Sequence, residues 1–147
     1  MENKKILFIS NFTYYPIFPG TVFISSEEDY LSNKTYIQES INNFNSEIEW
    51  SNMWTFDKGL ERIKKPFTKL CLLVLEGKVY GHVWYDEKRL YNCYISKNRP
   101  DNISVDWLKG TFNVVRETYI ELLVDYWNIR AKKFYEKVGF TSNISDI

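Results

Sequence analysis

The segment from Tyr119 to Phe140 constrains the fold more than any other part of the chain. Its first residues, Tyr119 to Val124, are mostly apolar and predict a buried strand. Asn128 can cap the helix predicted over 129–138, and Gly139 stands where a glycine commonly follows a helix, because glycine accepts a positive φ. A strand, a short turn and a helix in this order predict part of an α/β unit.

Three apolar runs before this segment predict antiparallel strands. They cover residues 70–75, 78–85 and 90–96, and the Glu76-Gly77 pair predicts a hairpin turn between the first two. Ser104 can cap a helix from Val105 to about Val115. The order of elements predicts an α+β chain with one βαβ-like unit.

The first third of the chain has shorter patterns. Two strands, residues 6–10 and 21–25, flank an aromatic loop, and we predict that they pair as a hairpin. Residues 55–64 predict a helix that Pro66 ends. Before it, Ser26 can cap one helix that continues to about Asn45, with an apolar stripe formed by Tyr30, Leu31, Ile37, Ile41 and Phe44.

Composition limits the class of protein. A length of 147 residues without a composition break predicts one domain, residues 1–147, with a core that needs neither disulfides nor metal. Lys plus Arg and Asp plus Glu number 19 each, which argues against bulk binding to nucleic acid or to an acidic membrane.

The apolar run at the N-terminus is too short for a signal peptide or a membrane span. Cys71 and Cys93 lie in apolar runs, so we expect free thiols in a reducing cytoplasm, and no metal site.

The C-terminal segment also carries a family resemblance. Ile120–Val124, Asn128, Ala131 and Phe134–Phe140 resemble the second conserved block of the GCN5-related N-acetyltransferases (GNAT), and residues 76–82 resemble that family's hairpin. The resemblance covers roughly residues 53–140. It implies a three-layer fold with a mixed, mostly antiparallel sheet flanked by helices. It also implies an acyl-CoA co-substrate, acetyl-CoA or another acyl-CoA.

The resemblance implies a cofactor site with a divergent phosphate-binding loop. Arg99 fits the family's Gln/Arg-x-x-Gly-x-Gly/Ala loop, whereas Asn102 and Ser104 replace its small residues. Asparagine tolerates the left-handed conformation, and a helix N-terminus binds phosphate through backbone amides that any residue except proline supplies. The implied cofactor-binding residues are Tyr94, Ile95, Ser96, Arg99, Asn102, Ile103, Ser104 and Asn128.

The resemblance also implies direct transfer, with no nucleophilic cysteine. Tyr135 matches the tyrosine that protonates the departing thiolate, and a phenol pKa of ~10 is near enough to a thiol pKa of about 8.5 for this exchange. A backbone N–H of the strand at 91–96 would stabilise the oxyanion. The general base stays open between Glu121, His82 and a water relay. Cations gather on the predicted phosphate side: Lys97, Arg99, Lys109, Arg130, Lys132 and Lys133.

The resemblance leaves two functions open. The first is an N-acyltransferase that moves an acetyl or other acyl group from acyl-CoA to an amine acceptor, and a changed loop leaves room for a different acyl donor. The second is a GNAT-like binding or regulatory module without catalysis. The aromatic loop at 12–18 is expected to form an acceptor wall, core or a dimer contact. A short C-terminal sheet edge and the aromatic excess favour a homodimer.

Overall fold

The structure, a computed structural model, describes residues 5–11, 17–48, 54–86, 89–100, 103–111 and 119–143. The strands are β1 Lys5–Asn11, β2 Thr21–Ile24, β3 Thr68–Leu75, β4 Lys78–Asp86, β5 Arg89–Ile95, β6 Tyr119–Asp125 and β7 Thr141–Asn143. The helices are α1 Glu27–Ser32, α2 Lys34–Glu47, α3 Phe56–Ile63, α4 Ser104–Thr111 and α5 Ile129–Val138. The predicted continuation of α4 to about Val115 lies outside the described residues.

All of these strands form one sheet with the order β2-β3-β4-β5-β6-β1-β7. Only the β5–β6 pair is parallel among the described strands, and the helix α4 connects the two strands. The β3–β4 hairpin turns at Glu76 and Gly77, whose φ angles of 50° and 77° suit a two-residue turn. These findings confirm the mixed, mostly antiparallel sheet flanked by helices.

Alternating residues of the central strands face two hydrophobic cores. Leu70 and Leu72 of β3 pack with α1, α2 and α3 on one face of the sheet. Cys71 and Leu73 face the opposite side, where Trp107 of α4 packs with them. The period of two in β3 therefore produces the three layers. None of the helices within the described ranges is long and apolar enough to cross a membrane.

The predicted hairpin between the first two strands is wrong. Strand β1 pairs with β6 and with β7, whereas β2 pairs with β3 at the other edge of the sheet. Strand β7 has three residues and pairs with β1, so the N-terminal strand lies between β6 and the short C-terminal strand. Pairing between the two ends of the chain has no local sequence signal, whereas a hairpin does. Residues 12–16 of the aromatic loop lie outside the described residues.

The single helix predicted from Ser26 to about Asn45 is two helices. Asn33 separates α1 from α2, and both its backbone N–H and its side-chain Nδ2 donate to the carbonyl oxygen of Asp29, at 3.2 and 2.9 Å. Asparagine side chains compete for backbone hydrogen bonds in this way, which ends helices. Leu31 is 49% exposed, while Tyr30 is fully buried. The break therefore removes Leu31 from the predicted inner stripe.

Candidate active site

Strands β5 and β6 pair in parallel at one described position and then diverge. Arg89 pairs with Glu121, and no later residue of β5 has a partner on β6 within the described part of the chain. Consecutive residues of β4 pair with Leu90 and Asn92, which leaves Tyr91 as the extra residue of a β-bulge. A bulge bends its strand. We therefore attribute the divergence of β5 from β6 to this bulge.

A cavity of about 290 Å³ lies where the second half of β5 faces the start of α5, the helix that follows β6. Its wall combines the end of α2, the second half of β5 with the turn that follows, and the first two turns of α5. The residues that line it are Glu47, Ile48, Cys93, Tyr94, Ile95, Lys97, Arg99, Asn128, Arg130, Ala131, Phe134 and Tyr135.

The structure brings several of the predicted site residues to this cavity. Tyr94, Ile95, Arg99, Asn128 and Tyr135 line it. The Asn128 side chain also caps α5, since its Oδ1 accepts from the Ala131 amide at 3.1 Å. The others lie elsewhere or are not described: Ser96 is buried beside the cavity, Ile103 packs against the core, Ser104 begins α4, and Asn102 lies outside the described residues.

Tyr135 reaches the cavity from α5 and meets a thiol there. Its hydroxyl donates a hydrogen bond to the sulfur of Cys93, and its half-buried ring contacts Phe134 and Phe140 with centroid distances of 5.3 and 5.8 Å. Burial, together with Cys93, raises the pKa of Tyr135 well above its usual value. Burial also raises the pKa of Cys93 to about 12, although the Tyr135 hydrogen bond lowers it. Both groups therefore stay protonated near neutral pH.

Two main-chain amides of β5 face the gap. The Ser96 amide donates to the Tyr80 carbonyl oxygen at 2.7 Å, so it points toward β4. Successive residues of a strand direct their amides to opposite sides. The register of β4 with β5 is regular from Asn92 onward, so the amides of Cys93 and Ile95 point into the gap. They are the donors available to a carbonyl oxygen bound there.

The turn after β5 uses its first amides internally. The Lys97 amide donates to Glu47, the Asn98 amide to the Ser96 hydroxyl, and the Arg99 amide to the Ser96 carbonyl oxygen, at 3.0, 3.1 and 3.2 Å. The Arg99 guanidinium also donates to that carbonyl oxygen, at 3.1 Å. In this arrangement the positive charge at the cavity comes from side chains of Lys97, Arg99 and Arg130 and not from these three amides.

Glu47 is a cavity residue that the sequence patterns did not indicate. Its Oε2 accepts from the Tyr94 hydroxyl at 2.5 Å and from the Ser96 hydroxyl at 3.0 Å, and its Oε1 accepts from the Lys97 amide. Burial raises the pKa of Glu47, but these hydrogen bonds and the charge of Lys97 outweigh burial and lower it overall. A glutamate at the end of an amphipathic helix resembles any surface position, so no local pattern distinguishes it.

The two side chains considered as a general base lie outside the cavity wall. His82 is buried between α2 and β5, where Nδ1 is 2.7 Å from the Ser40 hydroxyl and Nε2 is 2.6 Å from Asn92 Oδ1. Glu121 accepts from the guanidinium of Arg89 at 2.7 Å, at the closed end of the gap. Within the described ranges, no group of three His, Cys, Asp or Glu side chains could hold a metal ion.

Comparison with known proteins identifies the fold. No protein-family model and no curated protein match the sequence. An aminoglycoside acetyltransferase from an uncultured soil metagenomic sample is similar in structure, with a TM-score of 0.59, 15% identity, and coverage of 80% of this chain and 85% of that one. A GNAT-family protein from Novosphingobium aromaticivorans has a TM-score of 0.56 and 14% identity, and covers 97% of this chain and 61% of its own. The chain has a GNAT-like fold.

A second aminoglycoside acetyltransferase from a soil metagenomic sample has a TM-score of 0.55 at 12% identity, with 85% of this chain and 93% of that chain covered. The GNAT-like fold therefore extends over most of the chain. At these identities the likeness concerns the fold, and the chemistry has to be argued from the residues of this cavity.

Proposed function

We propose that this chain is an acyl-CoA-dependent N-acyltransferase that transfers an acetyl or other acyl group directly to an amine. The observation that carries the proposal is the position of Tyr135, whose hydroxyl donates to a sulfur within the gap between β5 and β6. The acetyltransferases that share the fold support the same reaction class.

The donor supplies an activated acyl thioester, and the residues of the gap fit its parts. The amides of Cys93 and Ile95 can donate to the thioester carbonyl oxygen, which gains negative charge during the attack. Lys97, Arg99 and Arg130 are suited to the phosphates, because they bring positive charge to the same cavity. The N-terminus of α4, at Ser104, is a further phosphate position under this proposal.

Tyr135 is proposed as the general acid. The amine nitrogen bonds to the carbonyl carbon, the carbon–sulfur bond breaks, the departing sulfur takes the Tyr135 proton, and the proton of the amine passes to water. The same burial that raises the pKa of Tyr135 raises the pKa of the adjacent Cys93 thiol to about 12. A thiolate that leaves in this environment is therefore also a stronger base than in water. Burial raises the pKa of the phenol and the pKa of the departing thiol in the same direction, which favours proton transfer from Tyr135 to the sulfur.

A binding or regulatory module without catalysis is the second candidate. The specific observation in its favour is the turn after β5, where Glu47 and Ser96 already occupy the amides of Lys97, Asn98 and Arg99. Under this alternative, CoA binds without transfer, and Tyr135→Phe changes neither property.

Thermal melting with CoA and acetyl-CoA tests the proposal, with ATP as a control for general binding of anionic nucleotides. A ligand that binds only the folded state at about 100 times its Kd should add ~2.7 kcal/mol to the free energy of unfolding. Labelled acetyl-CoA with a panel of amines then tests transfer. A melting temperature that neither CoA nor acetyl-CoA raises would refute the proposal, and binding without transfer to any amine would favour the second candidate.

A further inference from the structure

We propose that Glu47 binds an ammonium group of the acceptor, and that the acceptor is therefore an amine with at least two basic nitrogens. This inference rests on the acyl-transfer function proposed above, to which it adds the class of acceptor. It starts from the one carboxylate among the described residues that line the cavity.

The hydrogen bonds of Glu47 leave an acceptor position open. An ionised carboxylate offers about four lone-pair positions on its two oxygens. Oε2 accepts from Tyr94 and Ser96, and among the described residues Oε1 accepts from the Lys97 amide alone. Glu47 makes no ion pair within the described part of the chain, although it lies on the cavity wall. Its second position on Oε1 can therefore accept from a bound cation.

Glu47 is the one negative side chain on the described wall of the cavity. The other charged residues of its described wall, Lys97, Arg99 and Arg130, are cations that suit phosphates and repel an ammonium. Glu47 stays ionised at neutral pH because the donors from β5 and its turn stabilise the carboxylate. A fixed, ionised carboxylate with donors already in place attracts an ammonium without reorganising.

The carboxylate and the proposed acid approach the gap from opposite faces of the sheet. Glu47 ends α2 and contacts the Tyr94 side chain, whose ring also packs edge-on against Phe44 of α2 at 5.5 Å. Tyr135 belongs to α5, which packs on the other face. An acceptor held by Glu47 therefore enters from the α2 face and meets the acyl group across the gap.

The nitrogen held by Glu47 is not the one that reacts. An adjacent carboxylate raises the pKa of an ammonium, so this nitrogen keeps its proton and has no lone pair for attack. The nucleophile must be a second nitrogen that is neutral when it reaches the acyl group. A diamine satisfies both requirements, whereas a monoamine satisfies one.

Isothermal titration with 1,5-diaminopentane and with 1,5-pentanediol, a neutral ligand of the same chain length, tests the inference without cofactor. Because a hydrogen bond between an ammonium and a carboxylate is stronger than one from a neutral hydroxyl, the wild-type protein should bind the diamine at least about tenfold more tightly than the diol. Glu47→Gln should remove this preference. Glu39→Gln is the matched control, since Glu39 lies on the same helix but accepts from the Val79 amide at 2.8 Å and should keep the preference.

Equal affinity of the wild-type protein for the diamine and the diol would overturn the inference, whatever the variants do. So would a preference that survives in a folded Glu47→Gln protein. Glu47→Asp keeps the charge and should retain part of the preference, whereas a purely positional role predicts equal loss in the Asp and Gln variants. CoA titration of the same samples separates the two proposals: absent CoA binding refutes the transferase, while the amine titrations still decide the role of Glu47.

Discussion

The hydroxyl of Tyr135 donates to the sulfur of Cys93, so helix α5 and strand β5 meet through a phenol and a thiol at the cavity wall. This contact directs the phenolic proton at a sulfur atom beside two strand amides that face the gap. An acid that protonates a departing thiolate needs the same direction.

Tyr135→Phe should lower kcat by at least about tenfold while Kd for CoA stays within about twofold, because the change removes the proton and keeps most of the ring contacts. Steady-state transfer and CoA titration measure the two effects. Tyr126→Phe is the matched control, since Tyr126 is 40% exposed and lies outside the cavity wall. Equal losses in kcat and in CoA affinity would instead indicate a packing role for Tyr135.

The two cysteines should be slow to react in the folded protein. The thiolate is the nucleophile, and with a pKa of about 12 only about one Cys93 in ten thousand is a thiolate at pH 8. Burial also raises the pKa of Cys71. Titration with Ellman's reagent should give two thiols in denaturant and slow reaction in native buffer. Rapid native reaction of one thiol, lost in Cys93→Ala, would contradict this environment for Cys93.

The sequence patterns indicated those residues of the cavity wall whose positions depend on local order. Asn128 and Tyr135 lie within one strand-turn-helix segment, and both line the cavity. Glu47 could not be predicted in the same way, because it meets Tyr94 only after α2 has packed across β4. The bulge at Tyr91 also has no glycine or proline to indicate it.

The N-terminal strand shows the same limit at the level of the fold. Residues 6–10 have a clear strand pattern, and β1 includes them. Their partners are β6 and β7, far along the chain, and no turn chemistry links those elements. Local propensity predicts that a strand exists, whereas its neighbours are decided by the sheet as a whole.

Glu121→Gln should leave kcat within about threefold, since Glu121 pairs with Arg89 at the closed end of the gap and is not on its wall. The ion pair is partly exposed, so its loss should lower the free energy of unfolding by less than ~1 kcal/mol. Transfer assays and urea unfolding measure both quantities, with Asp86→Asn as a control for loss of an exposed carboxylate. A fall in kcat of about a hundredfold would identify Glu121 as the missing base.

His82 should make the protein less stable as the pH falls below neutral. Burial lowers the pKa of His82 from 6.5 to about 4, although its hydrogen bond with Asn92 raises it. The Asn92 oxygen can only accept, so Nε2 carries the proton and Nδ1 accepts from the Ser40 hydroxyl. The folded state therefore holds a neutral, buried ring.

The pKa of His82 is lower in the folded state, so the unfolded chain binds more protons between about pH 6.5 and about pH 4. Stability should fall through this interval as the pH is lowered, by a total approaching ~3 kcal/mol. Urea unfolding at several pH values measures the slope. The glutamine side chain of the His82→Gln variant does not titrate and can form hydrogen bonds with both neighbours, so stability should depend less on pH over this interval. The chain has one histidine, so equal pH dependence in the two proteins would contradict a buried neutral His82.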